Sequence, residues 1–83
     1  MIRLLIIDDH EMVREGLKAM LVAEPDFEIV GDAANAEQAL ELIERLHPDV
    51  VLLDIRLPGV SGIDLCSNVT SLYPQTAVII LTT

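Results

Sequence analysis

Three unbroken aliphatic runs constrain this chain more than any other feature: Leu4-Leu5-Ile6-Ile7, Val50-Val51-Leu52-Leu53 and Ala77-Val78-Ile79-Ile80-Leu81. Runs with no polar alternation suit strands buried on both faces of a parallel sheet. The segments between them carry a helical period. Val13, Leu17, Met20 and Leu21 recur at i, i+4, i+7 and i+8, which predicts a helix over about residues 10–23, ended by Glu24-Pro25-Asp26. Phe27 opens a short second strand over 27–30, closed by Gly31-Asp32. Asn35, with Gln38 three residues on, has the arrangement of a capping box. Ala36, Ala39, Leu40 and Ile43 continue one apolar face until His47-Pro48, where the residue before proline leaves the helical region. Ser61 caps a third helix bearing Leu65, Val69 and Leu72, and Pro74 ends it. The expected order is β-α-β-α-β-α-β: an α/β chain whose parallel strands are joined by right-handed crossovers.

The 83 residues allow one domain, and an apolar fraction of 52% argues against disorder. Fourteen acidic side chains face five basic ones, for a formal charge of −9. Phe27 and Tyr73 are the only aromatic residues. Neither a basic phosphate-binding patch nor a base-stacking surface can be built from this set, so direct nucleic-acid binding and anionic membranes are poor fits. Cys66 stands alone, which excludes an internal disulfide and a CxxC zinc knuckle. The first aliphatic run is too short for a signal segment or a membrane span, so a cytoplasmic address is expected.

In open parallel sheets, sites form at the carboxyl ends of the strands. The first strand ends at Asp8-Asp9, the third at Asp54 and the fourth at Thr82-Thr83. Three carboxylates and a hydroxyl are thus expected on one edge of the sheet. Like charges at such spacing either raise a pKa or hold a cation. Oxygen ligands select Mg²⁺ or Ca²⁺, and an aspartate beside the metal can serve as nucleophile toward a phosphoryl group. The other polar residues have plainer expectations. Asp9 can cap the helix beginning at His10, whose ring is expected to be exposed on the first turn. His47 is expected at the surface, Cys66 as a small packed side chain, and Met12 and Met20 as helix packing. Gly31, Gly59 and Gly62 read as turn residues. No GxGxxG, no phosphate-binding P-loop and no Ser-His-Asp or Cys-His grouping is present.

With these residues in place, the chain resembles the receiver domain of two-component response regulators, of the NarL/LuxR type. The resemblance rests on Asp8-Asp9 closing the first strand, on Asp54 closing the third, and on the loop Ile55-Arg56-Leu57-Pro58-Gly59-Val60-Ser61-Gly62. Thr82 after the fourth strand and the opening Asp8-Asp9-His10-Glu11-Met12-Val13-Arg14-Glu15-Gly16-Leu17 complete it. It implies a doubly wound, flavodoxin-like parallel sheet. It implies Asp54 as phosphoacceptor for a sensor histidine kinase. Mg²⁺ would be held by Asp9, Asp54 and the carbonyl of Arg56, with Asp8 as a weaker or water-mediated ligand. Thr82 would hydrogen-bond the phosphoryl oxygen as the switch, and the Arg56 side chain would tune phosphate loss. Such a domain is a regulator, not an enzyme beyond its own phosphoryl transfer and dephosphorylation.

The chain also departs from that family. Residues 1–83 form a partial receiver domain lacking a fifth strand, two helices and the strand-five lysine; Lys18, the only lysine, lies on the first helix. The helix-turn-helix domain that would bind DNA is likewise not in this sequence. A fragment of a longer regulator is expected. The fourth strand has one neighbour, so its apolar edge is expected to form a homodimer or exchange an element. Two other functions compete. The chain is an assembly module that keeps the fold but is not switched, or it is an aspartate-nucleophile phosphatase of the haloacid-dehalogenase type. The second wants an aspartate two residues after the nucleophile, where Arg56 stands.

Overall fold

A computed structural model describes residues 1–57 and 61–81 of the chain. The elements follow in the order β1 (Ile2–Ile7), α1 (Glu11–Leu21), β2 (Phe27–Ala33), α2 (Ala36–Leu46), β3 (Val50–Asp54), α3 (Gly62–Leu72) and β4 (Ala77–Leu81). All strand pairs are parallel, in the spatial order β2-β1-β3-β4. The order reverses between β1 and β3, whose carboxyl ends therefore lie side by side.

Strand parity divides the interior. Leu5 and Ile7 of β1 and Val51 and Leu53 of β3 face α2 and α3, where Ala39, Ile43, Leu65 and Val69 complete a buried core. Leu4 and Ile6 are buried on the opposite face. There α1 lies against β2 and contributes no fully buried residue. Each fully buried Leu, Ile or Val contributes about 1.5–3 kcal/mol, so the core between the sheet and the pair α2 and α3 dominates the stability.

The termini of the helices follow local chemistry. Asn35 Oδ1 accepts the Gln38 N–H at 2.9 Å, and Gln38 Oε1 accepts the Ala34 N–H at 3.1 Å. Ser61 Oγ accepts from Ile63 N at 3.2 Å to start α3. α2 ends at His47, which is left-handed at φ 47°. Thr76 is buried and donates its hydroxyl to the Pro48 carbonyl at 2.9 Å, tying the entries of β3 and β4 together.

Five expectations need correction. β2 extends to Ala33, past the expected stop at Val30, because a register shift lets Gly31, Asp32 and Ala33 pair with Leu5, Ile6 and Ile7. Gly31 is therefore a strand residue with leucine side chains against it. Met12 and Met20 do not pack; they are 88% and 71% exposed, while Leu17 and Leu21 are half-buried and Val13 is itself exposed. Leu72 is exposed at the end of α3, and Tyr73 packs in its place. β4 is not buried on both faces: Ile79 is 50% and Ile80 37% exposed, because it is an edge strand. No helix of the described residues is long and apolar enough to cross a membrane.

Candidate metal and phosphoacceptor site

β1 and β3 deliver the acidic residues to one place. Asp8 continues β1 by donating its N–H to the Ala33 carbonyl at 3.0 Å, and Asp54 is the last residue of β3. Both carboxylate residues are buried, each 5% exposed. Asp9 and His10 follow Asp8 in the turn toward α1. One ligand atom from each of Asp8, Asp9, His10 and Asp54 can be chosen so that all lie within 4.8 Å of one another. The structure thus brings together the three aspartates expected from the sequence.

The backbone around them is held by short side-chain turns. Asp8 Oδ1 accepts the His10 N–H at 2.8 Å, and Asp54 Oδ1 accepts the Arg56 N–H at 3.0 Å. Asp9 does not cap α1; His10 occupies the N-cap position and makes no side-chain cap hydrogen bond. After β3 the chain turns back so closely that Gly62 N–H bonds the Ile55 carbonyl at 3.3 Å. A Cβ on Gly62 would lie 2.6 Å from Ile55 Cα, so Gly62 is required by a close approach of two backbone segments. Arg56 is exposed, and Pro58, Gly59 and Val60 of the same loop lie outside the described residues, as do Thr82 and Thr83.

Arg14 anchors the acidic end from behind. Its Nε donates to Asp32 Oδ2 at 2.8 Å and its Nη1 to the Asp8 carbonyl. Lys18 reaches Asp32 Oδ1 at 3.1 Å and Glu15 at 3.2 Å, so the single lysine belongs to this brace. The sequence signal for the brace was the i, i+4 pair Arg14 and Lys18 on one side of α1; taking Asp32 for a turn residue concealed its partner.

His10 stands closer to the site than expected. Its side chain is 64% exposed, yet Nδ1 lies 3.0 Å from both Asp8 Oδ1 and Asp9 Oδ1. The hydrogen bond to Asp8, with the charge of Asp9 adding to it, raises the imidazole pKa above its usual value. The Asp9 contact is an ion-pair approach without hydrogen-bond alignment. Among the described residues, Asp9 Oδ1 is a buried oxygen with no hydrogen-bond partner. A buried carboxylate oxygen of this kind needs a cation or donor to offset its lost hydration. With two further carboxylates beside it, the donor set fits a hard divalent ion such as Mg²⁺.

Comparison with known proteins agrees with this geometry. Residues 4–83 match the response regulator receiver domain model. The transcriptional regulatory protein DegU of Brevibacillus brevis is 44% identical over 80 residues, which cover 96% of this chain and 34% of DegU. The nitrate/nitrite response regulator protein NarL of Escherichia coli K12 is 48% identical over 61 residues, 74% of this chain and 28% of NarL. Among solved structures, RcsB from Salmonella enterica serovar Typhimurium, bound to promoter rprA with the phosphomimetic BeF3⁻, superposes with a TM-score of 0.93 at 25% identity. That match covers 99% of this chain and 69% of RcsB. The chain therefore spans about a third of the length of the curated relatives it matches. Sequence match, strand order and the paired acidic strand ends converge on one assignment: the chain belongs to the response regulator receiver domain family, with relatives of the NarL/LuxR type.

Proposed function

We propose that this chain is a cytoplasmic phosphoacceptor, in which Asp54 takes a phosphoryl group from a phosphohistidine of a sensor kinase. The observation that carries this is the meeting of Asp8, Asp9 and Asp54 at the ends of β1 and β3, with a buried oxygen on Asp9 that accepts no hydrogen bond. An Asp54 carboxylate oxygen attacks phosphorus, the bond from phosphorus to the donor imidazole nitrogen breaks, and the imidazole leaves with a proton. Asp9, Asp54 and the Arg56 carbonyl are the proposed Mg²⁺ ligands, with Asp8 acting more weakly or through water. The ion, when bound, neutralises charge on the transferring group. Asp54 is positioned by the Arg56 N–H, while burial of Asp8 and Asp54 limits water at the site. Thr82 is the proposed hydrogen-bond partner of the phosphoryl oxygen and so the switch residue, and the exposed Arg56 side chain is proposed to set how fast phosphate is lost. A DNA-binding output elsewhere in a parent protein is supported by the regulator relatives and by the promoter-bound RcsB complex.

Intact-mass measurement tests this. After incubation with Mg²⁺ and a small-molecule phosphodonor, the chain is expected to gain one phosphoryl group, and Asp54→Ala none. No gain in a folded sample would overturn it. The chain would then be an assembly module, whose supporting observation is the apolar edge of β4, with Ile79 and Ile80 exposed. In either case we propose that two copies pair through that edge.

A further inference from the structure

We infer that Arg14 is a positioning residue for phosphoryl uptake: by holding the Asp8 carbonyl it fixes the peptide from which Asp9 hangs, and so keeps the Asp9 carboxylate beside Asp54. The inference rests on the phosphoacceptor reading above and adds a residue from α1 that lies outside the acidic cluster. Arg14 Nη1 donates to the Asp8 carbonyl oxygen, and Nε donates to Asp32 Oδ2 at 2.8 Å. The side chain is 14% exposed, so this fork is largely shielded from competing water. The Asp8 carbonyl, the Asp9 N–H and the Asp9 Cα belong to one planar unit. A donor that holds the carbonyl therefore fixes where the Asp9 side chain begins.

Asp9 needs such a hold more than its neighbours do. Asp8 donates its N–H to the Ala33 carbonyl at 3.0 Å, and its Oδ1 accepts the His10 N–H at 2.8 Å. Asp54 Oδ1 accepts the Arg56 N–H at 3.0 Å. Among the described residues, nothing donates a hydrogen bond to the buried Asp9 Oδ1. Beside two like charges, the place of this carboxylate depends on the backbone that bears it. Arg14 does not act as a free charge on the cluster, because Asp32 is paired with it and Lys18 reaches the other oxygen of Asp32 at 3.1 Å. Its effect passes through the Asp8–Asp9 peptide. Arginine suits this role: the planar guanidinium presents Nε and Nη1 in a fixed fork, one to a carboxylate and one to a carbonyl. A lysine ammonium is a single point on a flexible stem.

Two measurements on the whole chain test the inference with Arg14→Met, Arg14→Lys and Lys18→Gln. The first is the NMR order parameter of the Asp9 amide in magnesium-free protein. It is expected near the rigid value of about 0.85 in the wild type and below about 0.6 in both Arg14 variants, with the Ile7 amide of β1 unchanged. The second is the rate of phosphoryl uptake from a small-molecule phosphodonor with Mg²⁺, expected to fall about tenfold or more in both Arg14 variants. Lys18→Gln leaves both Arg14 bonds in place and is expected to match the wild type in each measurement. Arg14→Lys keeps the charge and most of the buried stem, so it carries the test where Arg14→Met does not fold. Asp9 mobility or uptake that matches the wild type in both Arg14 variants would overturn the inference. Equal losses in Lys18→Gln would also overturn it, since ion pairing between α1 and β2 in general would then be the cause. A wild type that gains no phosphoryl group would overturn the phosphoacceptor reading and this inference with it. The order parameters, read without magnesium or phosphodonor, tell the two failures apart.

Discussion

Two glycines show how far local space decides the effect of one methyl group. At Gly62 an added Cβ would meet the Ile55 backbone at 2.6–2.9 Å, and backbone cannot rotate away. Gly62→Ala is expected to cost about 2–3 kcal/mol in urea unfolding. Because the strained turn starts one residue after Asp54, it should also lower phosphoryl uptake. At Gly16, exposed in α1, nothing lies within 4 Å of the added Cβ. Gly16→Ala is expected to stabilise by about 0.5–1 kcal/mol, since alanine loses less chain entropy in a helix. His10 gives the third expectation. Its folded-state pKa is raised, so in metal-free protein its ion pair with Asp8 and Asp9 contributes stability below the unfolded value of 6.5. That contribution disappears as pH rises through the higher folded value. The melting temperature of wild type in a chelator should exceed that of His10→Asn at acidic pH, and the two should converge at alkaline pH. The sequence pointed to Asp8, Asp9 and Asp54 because strand ends are fixed by the aliphatic runs. It did not point to the closeness of His10, which depends on a turn geometry set by one Asp8 hydrogen bond.

The elements were legible in proportion to how far their own residues determine them. β3 and both ends of α2 follow from an aliphatic run, a cap and a proline and stand where those signals put them, while β1 reaches back beyond its run to Ile2. The Asn35 cap offers a direct measure of such local determination: Asn35→Ala removes the acceptor for the Gln38 N–H and is expected to cost about 1 kcal/mol, read from the denaturation midpoint. β2 was legible only in its first half. Its continuation through Gly31 and Asp32 is dictated by pairing with Leu5 and Ile6 across a register shift, and a polar, glycine-containing stretch shows none of that. The solvent-facing methionines of α1 were misplaced for a related reason. Helical period defines a stripe, but the width of that stripe depends on how deep the helix sits, and α1 sits shallowly with no fully buried residue.

At the scale of the whole molecule, the two sheet edges differ in a way that predicts assembly. The β2 edge carries Glu28 and Asp32 and an irregular register, devices that discourage strand addition. The β4 edge, Ala-Val-Ile-Ile-Leu, carries no charge, no proline and no bulge, and two of its isoleucines are more than a third exposed. Pairing two β4 edges about a twofold axis would cover these side chains and satisfy the outward backbone groups at once. Opposing this is the charge of −9 on each copy, a repulsion that salt screens over a Debye length of about 10 Å at 0.1 M. Association of the chain is therefore expected to strengthen with ionic strength, the reverse of an interface held by ion pairs. Ile79→Lys places a charge inside the pairing edge, and the same variant leaves the buried core of α2 and α3 untouched. Sedimentation across a range of protein concentrations should show salt-enhanced dimer for wild type and monomer for Ile79→Lys. A wild-type mass that stays monomeric at high salt would show that the β4 edge does not pair copies of this chain.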